Sequence, residues 1–432
     1  MNTQKISLVL LLMAGILVSA CTSSIPGFTS PPVTISVTPG GGNHDNLQAL
    51  VDAAPPGSTL VLGIGSYHLA RPLDIRKSLH LIGAGIGQTE IVSTAQDYVI
   101  MFDGDGPFSA EGIAFRHEGE LVADVLVVQG GQVFLSSCRF TGANQGGLRE
   151  LKAGLRLRRN TTGVVEGCIA EENDSIGILL EEYASVILRN NICQNNKNWG
   201  VGILYAGNAG GTAYGNQCLR NATGIYAGQQ SQPTLRENRC RENHTGIRIS
   251  GQSQPTLEGN ICISNTEGID YSESAGGIAR GNISSGNGDG IVVTGQSMPT
   301  LEDNQCDNNL TGIYIGDQAQ PVLQGNVCRN NRAYGIEYGG NSTGTARQNE
   351  CSRNIFGIYV GVGAQPVIEE NICSNNVEVG ITYWGNGGGV ARRNKVFGNK
   401  IGILIGERAN PHLEDNECFS NIEADILDQR QR

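Results

Sequence analysis

The chain is poor in charge, in aromatic side chains and in any stretch with helical periodicity. Charged residues make up 16% and aromatics 5% of it, so a conventional mixed globule fits badly. Its formal net charge of −11 argues against nucleic acid or an anionic lipid surface as partner, since both reward basic surfaces. Local basic patches leave acidic polysaccharides open. The histidines, at 44, 68, 80, 117, 244 and 412, stand singly. They form neither a zinc spacing nor a triad with serine or cysteine. The glycine-rich stretch from Leu81 to Ile91 lacks the third glycine of a dinucleotide loop, and no helical pattern follows it. No cofactor motif is evident. The one apolar run, Ile6 to Val18, is too short to be a convincing membrane span.

That run follows Lys5 and ends in small residues, the pattern of an export signal over residues 1–20. "VSAC", closing at Cys21, resembles a bacterial lipobox. The resemblance implies cleavage before Cys21, lipidation of its thiol, and a mature protein held on a bacterial membrane at the cell surface or the periplasmic face. An ordinary signal peptide with an incidental cysteine is the alternative. Residues 21–32, rich in Ser, Thr and Pro, read as a flexible tether. Residues 33–432 remain to be folded.

What the chain does have is glycine, 61 residues of it, and a repeat. Asparagines recur from Asn216 to Asn416 in steps of 22 or 23, with Asn191 one longer step earlier. A second asparagine follows each by five residues, and then comes Gly-Ile, as at Gly290-Ile291 and Gly312-Ile313. Such a unit holds three short strands and three turns but no helix. One unit cannot bury its apolar face, whereas a stack of units can. Equivalent residues then lie about 4.8 Å apart, and the asparagines can hydrogen-bond up and down the stack as structural ladders.

At this point the chain resembles right-handed parallel β-helix proteins of the pectate-lyase-like superfamily, with their carbohydrate-binding and sugar-hydrolysis repeats, over roughly Val33 to Ile426. The resemblance implies an all-β single-stranded parallel β-helix of about fourteen coils and a short N-terminal capping helix. The cap would be started by Asp45 or Asn46, would bury Leu47, Leu50 and Val51, and would be ended by Pro55-Pro56-Gly57. The superfamily's polygalacturonase and mannuronan-epimerase motifs are absent.

Nine of the eleven cysteines after Cys21 obey Asn-x-Cys, with Cys138 and Cys168 as expected earlier members. Ser284 and Val396 replace cysteine without disturbing the register. A pairing code would not survive such omissions, so the expectation is an inward ladder of free thiols acting as small apolar filler, with one or two bridges left open. Coils with Ala213, Ala279, Ala346 or Ala391 before the asparagine carry Tyr205, Tyr271, Tyr338 or Tyr383 after Gly-Ile. This exchange conserves interior volume and places those tyrosines inside.

Alternation then turns the residue right after each Gly-Ile outward. That lane includes Tyr226, Arg248, Asp270, Tyr314, Glu337 and Tyr359, with Trp199, Tyr334 and Phe356 expected beside it. Aromatic faces among single charges suit an extended glycan, the expected partner of a monomeric protein. A lyase, hydrolase or epimerase is the second reading. It would use Lys152, Arg156, Arg158, Glu171, Glu172 and Asp174 in the irregular coils between Arg139 and Arg189. A non-catalytic spacer or adhesion stalk is the third. Asp103 and Asp105 in "FDGDGPF" could hold Ca2+ or simply form a turn.

Overall fold

The computed structural model describes residues 30–39, 44–146 and 151–431. The export segment, Cys21 and most of the tether lie outside them. Three sheets, of 17, 16 and 16 strands, run the length of the molecule, and successive coils pair in parallel throughout. One coil shows the plan. Thr256–Glu258 belongs to sheet 1, Ile261–Ile263 to sheet 2 and Glu267–Tyr271 to sheet 3, and Ile278–Arg280 re-enters sheet 1 one coil on. The molecule is a parallel β-helix of sixteen to seventeen coils rather than about fourteen. The coils before Cys138 carry no Asn-x-Cys signature and vary in length, so the repeat undercounts them.

The corners explain the asparagines. In the regular coils the residue before a ladder asparagine takes a left-handed turn, for example Asp303 at φ 52° and Asn308 at φ 58°, a conformation that costs a non-glycine residue about 1 kcal/mol or more. The ladder asparagine offsets this strain by satisfying the turn. The amide of Asn304 donates to the Ala279 carbonyl (2.9 Å) and to Asn326 Oδ1 (2.9 Å), while its own Oδ1 accepts from the main-chain N–H of Asn282 (3.0 Å). The second ladder runs the same way and begins at Asn173, one coil before the repeat announces it. Gly-Ile has a packing cause. A Cβ on Gly290 would lie 2.3 Å from the Gly312 carbonyl oxygen and 2.9 Å from Asn309 Nδ2.

The interior follows the expected exchange. Tyr205, Tyr271, Tyr338 and Tyr383 are fully buried, as are their partner alanines. All eleven described cysteines are free, and all but Cys418 are buried. Cys193, Cys218, Cys240 and Cys262 stand in register, with Ser284 and Val396 in the same lane. The neighbouring thiols of Cys193 and Cys240, together with burial, push the Cys218 thiol well above its ordinary value. Cys138 and Cys168 are not earlier members of this lane. Phe140 and Ala170 precede Cys193 there, and Cys168 sits at the first corner, where its N–H donates to Asn191 Oδ1 (2.9 Å). Asn-x-Cys spacing is lost in those coils, so counting back from Cys193 lands on the wrong lane.

The helix α1 (His44–Ala53) covers the N-terminal end, with Leu47 and Val51 buried in the common core and Leu50 packed against it. Asp45 and Asn46 fall within its first turn rather than at the cap, which lies outside the described residues.

Candidate functional site

Sheet 3 presents two outward rows. The residue after Gly-Ile forms one, and the residue before that glycine forms the other. Register pairing aligns Tyr226, Arg248, Asp270, Val292, Tyr314, Glu337, Tyr359, Thr382 and Leu404 in unbroken succession. The neighbouring row runs Val201, Thr223, Thr245, Glu267, Asp289, Thr311, Tyr334, Phe356 and Val379. Trp199 is not in it. The 25-residue step puts its extra residues in the preceding turn, where Asn198 and Trp199 take left-handed φ (49° and 66°) and the indole is 89% exposed, while Val201 takes the row position.

A local rule positions the lane tyrosines. Two residues after Tyr226, Tyr314 and Tyr359 comes glycine, whereas Arg248, Asp270 and Val292 are followed there by Ser250, Ser272 and Thr294. A Cβ on Gly316 would lie 2.7 Å from Tyr314 Oη, and one on Gly361 would lie 3.1 Å from the Tyr359 ring. Each ring therefore folds down over bare backbone at the turn. Tyr334 stacks on Phe356 (5.5 Å between centroids), and Tyr359 meets both, at 5.0 and 6.1 Å. Trp384, half-exposed, stands two residues after Thr382 at the turn position that Gly361 and Gly406 hold in the neighbouring coils, and it lies over Gly406 beside the row. Upstream, Tyr226 Oη contacts Ser250 Oγ (2.8 Å) and carries the Arg248 guanidinium 5.9 Å above its ring.

Carboxylates share this face. Glu337 sits between Tyr314 and Tyr359, and burial pushes its carboxyl up to about 7, with Asp289 two coils away adding to the rise. Asp270 is also raised to about 7 by burial and then by Glu267, against the opposing pull of Arg248 at 3.4 Å. Asp270 is only 6% exposed because its neighbours fold over it. Although outward, it is not open to a ligand. Asp289, half-buried, is raised by burial too. Thr382 is 1% exposed, and its Oγ1 has no hydrogen-bond partner. Glu267, Asp289 and Trp384 escaped the sequence reading, whereas Thr382 falls in the lane where alternation puts it. The first two stand immediately before the Gly of Gly-Ile, where only aromatics were sought.

In the irregular coils the six charged residues named from the sequence, all among the described residues, are drawn into ion pairs and hydrogen bonds. Lys152 and Arg156 are both 7% exposed and both engage the buried Asp124, at 3.6 and 3.2 Å. Arg156 also pairs with Glu181 (3.0 Å) and Arg158 with Glu182 (2.8 Å). Glu171 faces out from sheet 2 against Arg139 (2.6 Å), Glu172 occupies a turn beside Lys197 (3.0 Å), and Asp174 bonds Asn198. These charges hold coils together and do not converge. Asp103 pairs with Arg159 (3.1 Å) while Asp105 is exposed nearby, and the described residues hold no cluster of three or more metal-ligating side chains. A depression of about 610 Å³ beside α1 is lined by groups that already bond one another, including Tyr98 to Asp74 (2.9 Å) and Lys77 to the Asp52 carbonyl (2.7 Å). Sheet 3 is instead an open, linear face.

The comparisons agree with this architecture. The model of the right-handed β-helix region matches residues 123–279 and 242–364, more than half of the chain, and the chain belongs to that family. The model of the periplasmic copper-binding protein NosD matches residues 322–431. Among solved structures, the Dettilon tailspike protein gp208 has a TM-score of 0.51 at 16% identity, over 78% of this chain and 66% of the tailspike. The chain thus spans just under two thirds of that protein. The Azotobacter vinelandii mannuronan C-5 epimerase AlgE6 A-module (TM-score 0.35, 15% identity, 89% and 94% coverage) and the periplasmic alginate epimerase AlgG (0.37, 14%, 88% and 83%) are more distant. At these identities the likeness is one of fold. No curated protein sequence matches the chain.

Proposed function

We propose that this is an exported β-helix protein, held at a bacterial membrane through lipidated Cys21, that binds an extended polysaccharide along sheet 3. The observation that carries the reading is the row of Tyr314, Tyr334, Phe356 and Tyr359, with Trp384 beside it. Tyr314, Tyr359 and Trp384 rest on glycine backbone, so they have little side-chain entropy left to lose on binding. Such rings offer apolar faces to sugar rings while polar neighbours meet hydroxyls. The names of the fold's relatives, which include alginate epimerases, are compatible with a glycan partner, and NosD and AlgG with a periplasmic setting. The ion-paired charges of the irregular coils favour binding over lyase or epimerase chemistry there.

Affinity electrophoresis of the chain from Thr22 onward, through gels containing neutral and charged polysaccharides, tests this. Retardation by one polymer, relieved in Tyr314→Ala/Tyr359→Ala, is the expected result. Retardation by none returns the molecule to the role of a spacer.

A further inference from the structure

Charge on sheet 3 narrows the kind of glycan. We infer that this face selects a polysaccharide carrying protonated amines over one carrying carboxylates, an inference that rests on the glycan reading above. Between Thr223 and Ile401 the two outward rows contain four acids, Glu267, Asp270, Asp289 and Glu337, and one cation, Arg248. Arg248 is committed to Asp270 and to the Tyr226 ring. The lip toward sheet 1 adds Glu273 and Asp317, which accept main-chain N–H groups of the preceding coil at 2.9 and 3.0 Å. The opposite lip carries His244, Arg332 and Lys400, the last paired with Glu378 (3.0 Å).

Glu267, Asp289 and Glu337 are half-buried and reachable. Thr245 donates to Glu267 (3.0 Å) and Thr311 to Asp289, but Glu337 has no cationic partner among the described residues. A uronate laid on this face would bring a second carboxylate beside partly desolvated ones, and like charges at close range repel. An ammonium at Glu337 gains an opposite charge and, from Tyr314 and Tyr359 on either side, the faces of two rings. Tyr314 and Tyr359, bedded on Gly316 and Gly361 to either side of Glu337, are the independent sign of a ligand at this carboxyl.

The test uses full-length protein in detergent and three polymers of related backbone: glycol chitosan, its N-acetylated form, and polyglucuronate. Expected retardation at neutral pH, where an approaching ammonium draws the partly protonated Glu337 into its charged form, falls in that order, with none by polyglucuronate. Glu337→Gln/Asp289→Asn weakens glycol chitosan binding about tenfold, on the scale of two partly buried charge contacts, and leaves the N-acetylated polymer unchanged. The charge-matched control Glu237→Gln/Glu414→Gln, away from sheet 3, leaves both unchanged. Two results overturn the inference while sparing the glycan reading: tyrosine-dependent binding of polyglucuronate as strong as that of glycol chitosan, or an equal loss in the control pair, which would make the preference one of overall charge. Retardation by no polymer overturns both.

Discussion

Sheets 1 and 3 of the same coils share one backbone spacing and opposite chemistry. On sheet 1 the outward residue before each corner runs Arg236, Glu258, Arg280, Glu302, then Gln324, Arg347, Glu369, Arg392 and Glu414, so that most neighbours are of opposite sign. They pair across coils, Arg236–Glu258 at 3.2 Å, Arg280–Glu302 at 2.7 Å and Arg392–Glu369 at 2.7 Å. On sheet 3, Glu267 neighbours Asp289 and Glu337 lies between two tyrosines, while Asp270 pairs with the one cation, Arg248. Geometry cannot explain the difference, because parallel stacking imposes the same interval on every lane. Composition does. A lane of alternating charge satisfies itself and leaves nothing for a partner, whereas a lane of raised carboxyls and bedded rings keeps its interactions for something outside the chain.

The contrast can be tested by substitution, beginning with what both faces depend on. Asn304→Leu leaves the Asn282 N–H and the Ala279 carbonyl, both buried, without their partners, at about 1–3 kcal/mol each. It should open the stack locally around coils 282 to 326, read as lost hydrogen-exchange protection and an earlier first transition in urea. Undiminished protection would show the ladder to be incidental. Next in size, Tyr314→Ala/Tyr359→Ala should weaken polysaccharide binding at least about tenfold, on the scale of stacked aromatic contacts. The melting temperature should fall little, since both rings are half-exposed.

A smaller effect concerns pH. Folded Asp270 and Glu337 titrate near 7, above the roughly 4 of an unfolded carboxyl. Their protonated forms therefore favour the fold. That stability is complete below about 4 and is lost as pH rises through 7. Thermal unfolding should occur at lower temperature at pH 8 than at pH 5, and Asp270→Asn/Glu337→Gln should flatten the difference. Smallest is Arg280→Ala on sheet 1. An exposed pair contributes at most about 1 kcal/mol, so a slight stability loss and unaltered glycan binding are expected. A binding loss there would erase the distinction between the faces.

Much of this was legible because the repeat is nearly constant. With a 22-residue period, Asn304, Cys306 and Ile313 have only one place to go, and the exchange of Tyr271 for Ala279 announces a shared interior. Legibility failed where the period did. Trp199 was misplaced because a turn can absorb extra residues while leaving the next strand's register unaltered. Cys138 and Cys168 were misassigned because the corner position accepts a thiol as well as an amide. The acids Glu267 and Asp289 were visible as letters, but the neighbours one coil away that make them part of a row are 22 residues distant in sequence.

By itself, then, the sequence determined the coil, its corners, the inward lanes and the outward order of residues on sheet 3, because period and alternation dictate direction. Only the tertiary structure decided which outward side chains remain accessible and which are already satisfied. Burial of Asp270 under Arg248, commitment of Arg156 to Asp124, and the glycine beds beneath Tyr314 and Tyr359 all arise between coils, where distance along the chain says nothing about distance in space.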